Sequence, residues 1–109
     1  MTEQIKPPEY AAVRHILGAP LIEARTQPYV GEADFDWDGL EREAATMSGG
    51  ERLLVRVASD LWKSEKTTAL AELPRRLDDR NFLRVLDALR IARGHTAAGL
   101  VESQEKRAA

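Results

Sequence analysis

Large aliphatic side chains recur at helical spacing through residues 48–94, and the rest of the chain is organised around that stretch. After Ser48-Gly49-Gly50-Glu51, the positions Leu53, Leu54, Val57, Ala58, Leu61 and Trp62 fall on one side at about 100° per residue. Arg56, Ser59, Asp60 and Lys63 fall on the other side, with Arg56 and Asp60 spaced as an i,i+4 pair. Val55 widens the apolar side to roughly half the circumference, more than a one-sided surface helix needs. The pattern therefore predicts a central helix with two neighbours. Its start is marked by a capping box, in which Ser48 takes the amide of Glu51 and the Glu51 carboxylate reaches back to the amide of Ser48.

On the N-terminal side, Pro7-Pro8 opens a short helix, since proline fits a first turn whose amides have no partners. Tyr10, Val13 and Leu17 form its stripe with Ile16 beside them, and Gly18 followed by Pro20 ends it. Residues 19–37 carry Pro20, Pro28 and Gly31 and have no helical period, so an irregular arm is expected, with Leu21-Ile22 and Tyr29-Val30 as short extended pieces. Asp38 is read as the cap of a helix from Gly39 to Met47, with Leu40, Ala44 and Met47 inward.

Downstream, Ser64 to Thr68 reads as a polar turn, and Thr67 or Thr68 as the cap of a helix over Ala69–Leu77 that Pro74 distorts or ends. Asp78-Asp79 cap the last helix, which runs to Arg93 before Gly94 and points Phe82, Val85, Leu86, Leu89 and Ala92 inward. Leu83 and Ile91 project from its other side. Met1–Lys6 reads as a polar tail and His95–Gly99 as a turn, with Leu100-Val101 packing back before a charged end. The expected fold is all-α, a small helical bundle in one domain over 1–109. It divides into a tail and N-terminal helix (1–18), the arm (19–37), a helical core (38–94) and a C-terminal tail (95–109).

Composition narrows the function classes. The chain has 109 residues, 43% hydrophobic and 31% charged, with net charge −2, so overall charge argues for neither nucleic acid nor a membrane surface. There is no cysteine, which removes disulfides and thiolate chemistry and fits a cytoplasmic setting. No apolar run approaches the ~18 residues of a membrane span. Arginine outnumbers lysine twelve to four beside sixteen alanines and one asparagine, a bias that fits a GC-rich bacterial or phage genome.

Candidate chemistry is sparse. Asp34-x-Asp36-x-Asp38-Gly39 matches the first half of a calcium-binding EF-hand loop, but the twelfth position, where a bidentate glutamate belongs, is Ala45. The acidic cluster is therefore read as a cap and solvated rim, with no metal site. Met47 to Arg52 resembles the signature loop of ABC-type ATPases. The Gly-rich phosphate loop with its Lys is absent, and the helix cap accounts for the same residues. His15 and His95 have no local motif beside them, so no catalytic residue and no cofactor are expected.

Residues 51–101, read as helix, short helix, tight turn and longer helix, resemble a helix-turn-helix or winged-helix domain. That resemblance implies a last helix in the major groove, with Arg80, Asn81 and Arg84 at base edges and Arg75 and Arg76 on phosphates. From Arg75 to Arg93 the local charge is positive, six Arg against three Asp.

The reading favoured by the residues is a non-enzymatic protein–protein interaction or assembly module, with a protein partner or self-association, no membrane and no small-molecule substrate. Nucleic-acid binding is the alternative. Tyr29, Phe35 and Trp37 either pin the arm to the helices or present it to a partner. Taken with Leu83 and Ile91, they are the expected partner contacts.

Overall fold

The structure is a computed structural model that describes residues 7–94. The expected tail, terminal turn and Leu100-Val101 packing lie outside the described residues. Among those described there are six α-helices and a single 3-10 turn. The helices are α1 (Pro8–Leu17), α2 (Glu23–Thr26), α3 (Trp37–Ala44), α4 (Gly49–Lys63), α5 (Glu72–Arg76) and α6 (Asp79–Ala92), with the 3-10 turn at Gln27–Tyr29. The all-α class is as the hydrophobic periodicity predicts. No described helix is long and apolar enough to cross a membrane.

The middle of the molecule is α1, packed between α4 and α6. Ala12, Val13, Ile16 and Leu17 are fully buried, and Ala19 and Ile22 extend the core past the helix end. The apolar circumference of α4 is used as its width implied, with Leu53, Leu54, Val55, Val57 and Ala58 all buried. One of its neighbours is α1, which lies far away in sequence. The expectation that residues 38–94 hold the core thus leaves out the helix at its centre.

Local chemistry sets the element boundaries. The Ser48 box forms as drawn: the Glu51 amide donates to Ser48 Oγ at 3.4 Å and the Ser48 amide to Glu51 Oε1 at 3.1 Å. Asp78 caps α6 by accepting the Asn81 amide at 2.8 Å. Gly94 takes φ +103°, where a Cβ would be strained, and closes the helix onto the Ile91 carbonyl. At α3 the cap is Asp36, which accepts from the Gly39 amide, and the helix starts at Trp37. Asp38 lies in the first turn instead, where its charge still suits the positive helix end.

The expected helix over Ala69–Leu77 shrinks to α5. Pro74 sits in its first turn and interrupts nothing, since the amide it lacks would have no helical partner there. Thr67 and Thr68 do not cap it. Both amides and the Thr67 hydroxyl donate to the Asp60 carboxylate at the end of α4, holding the 64–68 turn.

The arm is more ordered than its composition suggests. It contains α2, the 3-10 turn and a tight reversal closed by an isolated bridge between Val30 and Phe35. Thr26 is fully buried, with its hydroxyl donating to the Leu17 and Glu23 carbonyls at 2.7 and 3.2 Å. Arg25 ties α2 to the Glu43 carboxylate at 2.9 Å.

Candidate interaction surface

Phe35 is the hub of an aromatic cluster. Its ring centroid lies 5.2 Å from Tyr10 in a stacked pair, 5.1 Å from Trp62 edge-on and 5.4 Å from Trp37. The Tyr10 hydroxyl donates to the Gly31 carbonyl, fastening the arm to α1. Phe35 is buried and offers no surface to a partner. Trp37 is half-buried under the Lys63 ammonium at 5.6 Å, and Tyr29 is half-buried against α3. These three residues pin the arm to the helices, packing its reversal against α1, α3 and α4. The set Tyr29, Phe35, Trp37, Leu83 and Ile91 does not come together as one surface. Ile91 is half-buried against the core cluster, and of the five only Leu83 is exposed.

The base-reading residues implied by the helix-turn-helix resemblance are likewise divided. Arg80 is exposed, as are Arg75 and Arg76, the latter paired with Glu72 at 3.1 Å. Asn81 is buried. Arg84 turns inward, its Nη1 donating at 2.9 Å to the carbonyl of His15 at the C-terminal end of α1. A guanidinium at a helix C-terminus meets carbonyls without helical partners and the negative end of the dipole. Asn81 is thus covered and Arg84 is tied to the end of α1.

His15 follows from the same contact. Its Nε2 is buried without a hydrogen bond among the described residues and lies 3.9 Å from the Asp87 carboxylate. Burial, and then the Arg84 guanidinium, hold its pKa below the ordinary 6.5, while Asp87 pulls the other way. Asp34, Asp36 and Asp38 do not converge: Asp36 is a cap, and Asp34 accepts the Phe35 amide. Among the described residues no group of acidic or histidine side chains is arranged to hold a metal ion.

The feature that periodicity missed is on α6. The face turned inward is Asn81, Val85 and Ala88, so the helix is rotated by about 70° from its most apolar direction at 100° per residue. The surplus leucines are left outside: Leu83 is 58% exposed, Leu86 37% and Leu89 43%. Leu70, before α5, is 80% exposed, and it faces Leu89 across a groove of about 360 Å³ floored by Val57, Leu61, Leu73 and Val85. Asp60, Glu65 and Lys66 rim one side.

Two other concavities carry charged side chains at their edges. A cleft of about 520 Å³ between α3 and α4 is edged by Glu41, Arg52, Arg56 and Glu65. A notch of about 180 Å³ at the start of α4 is lined by Arg52, Arg56, Arg76 and Glu72. In the notch Arg52 donates to the Ala44 and Met47 carbonyls, so the residues that resembled a nucleotide-binding loop serve the junction of α3, α4 and α5.

No protein-family model, curated protein or solved structure matches the chain.

Proposed function

We propose that the protein is an interaction or assembly module that docks a protein partner on the leucine face of α6 and the groove beside it. The observation that carries this reading is the apolar row Leu83–Leu86–Leu89 together with Leu70, four of the five exposed large aliphatics among the described residues, the fifth being Leu21. Single exposed leucines are ordinary, whereas several in one strip rimmed by charge mark an interaction site. The interior of the module carries the fold and the surface strip carries the function. Duplex-DNA binding is less well supported, because Asn81 and Arg84 are engaged inside.

The test is photo-crosslinking in cells with a photoreactive residue placed at Leu86, and at Arg42 on the exposed side of α3 as control. The expected outcome is a discrete adduct at position 86 that is absent at 42 and lost with Leu89→Lys. Equal labelling at both positions, or none, overturns the proposal.

A further inference from the structure

Resting on that reading, the α6 surface also points to its occupant. We infer that the partner is a second copy of this chain, paired antiparallel along α6 about a two-fold axis at Leu86. The inference stands on the way charge is distributed around the strip.

Take Leu86, the middle leucine of the row 83, 86 and 89, as the centre of the seam. Asp79 and Arg93 lie seven residues to either side, about 10.5 Å away along the axis and only about 20° off the Leu86 direction. Both are exposed, and among the described residues neither has an ion-pair partner. A two-fold axis through Leu86 brings residue i of one helix to the height of residue 172 − i of the other. Asp79 then meets the partner's Arg93, and the same pair recurs at the opposite end. Leu86 packs on its own symmetry mate. Phe82, which is half-buried, meets the partner's Leu89 at the mouth of the groove, and Leu83 lies along the stem of the partner's Arg90.

A parallel pairing would instead put Asp79 beside Asp79 and Arg93 beside Arg93. The pattern therefore selects orientation as well as partner, because like charges across a seam are destabilising while opposite charges fix register. The acidic residue is at the start of α6 and the basic one at its end, so each also suits the dipole of its own helix. An apolar centre with complementary charge at both ends has the anatomy of an isologous dimer seam.

The experiment is sedimentation velocity of the purified full chain over a wide concentration range, with thermal unfolding of every variant to confirm that it is folded. The wild type should be a concentration-dependent dimer, and Leu86→Lys should be a folded monomer. Asp79→Arg alone and Arg93→Asp alone should each weaken association by about tenfold or more, and the double variant should restore it. A role confined to the helix dipole would make the double variant the worst of the three, and that result overturns the seam. A wild type that stays monomeric overturns self-pairing, as does a dimer indifferent to Leu86→Lys.

Crosslinking at Leu86 separates the two readings. A heterologous adduct from a monomeric chain refutes self-pairing and keeps the docking face. A purely internal crosslink to residues 95–109 refutes both.

Discussion

Asp60 sits where α4 runs out, and three donors from Thr67 and Thr68 converge on its carboxylate. Burial pushes its pKa up, but the hydrogen bonds from the two threonines outweigh that and hold it below the ordinary 3.8. A carboxylate depressed in the folded state stabilises the fold above its unfolded pKa, and this contribution disappears as pH falls through the folded value. Asp60→Asn should therefore cost about 1 kcal/mol near neutral pH, after discounting for solvent, and nothing extra in strong acid; urea titrations at the two pH values check this. His15 has the same sign by a different route. Its folded pKa lies below 6.5, so the folded state resists protonation, and stability falls as pH drops through 6.5 toward the folded value. His15→Gln should flatten that slope in denaturant titrations between neutral and mildly acidic pH. Neither residue showed its role in the sequence. Asp60 reads as the i,i+4 partner of Arg56, and nothing local says that the chain doubles back through the left-handed Ser64 to give it two threonines.

At the scale of elements, caps and periods carry far: α1, α4 and α6 fall within a residue or two of their sequence-based limits, because their start signals are local, a proline in the first turn of α1 and side-chain-to-amide bonds at α4 and α6. Facing directions carry less far. Periodicity weighs leucine as interior, yet α6 meets α1 through Val85, Ala88 and Asn81, since a neighbour arriving from elsewhere in the sequence decides which side is covered. Glycines behave the same way. Gly39 looks like a weak point in α3, but a Cβ there would come within 2.3 Å of the Tyr29 ring. Gly39→Ala should therefore lower stability by about 1–3 kcal/mol through overpacking, despite a helix-propensity gain of up to about 1 kcal/mol. At Gly49 an added Cβ would meet only the movable end of Arg76 at 3.2 Å, so Gly49→Ala should be close to neutral. Thermal melts of the two variants side by side distinguish close packing from propensity as the reason for each glycine.

On the scale of the whole molecule, the core is assembled from opposite ends of the described chain. Phe35 shows how tightly the arm joins it: Phe35→Ala should cost about 3–5 kcal/mol, a large share of a small domain's stability, with loss of the near-ultraviolet circular dichroism of Trp37 and Trp62. Sequence alone marks Phe35 as an anchor or a contact without choosing, because the choice depends on Tyr10 and Trp62 arriving from two other elements. The bond from Arg84 to the His15 carbonyl spans 69 positions. Of the described helices, α1 leaves the ribosome first, and α6, which covers its second side, leaves last. A growing chain must therefore carry Val13, Ile16 and Leu17 only partly covered until residue 92 has emerged, so folding completes late, in one closing step. Nascent chains stalled before Asp79 should remain open to protease, and those extended past Gly94 and clear of the exit tunnel should become resistant.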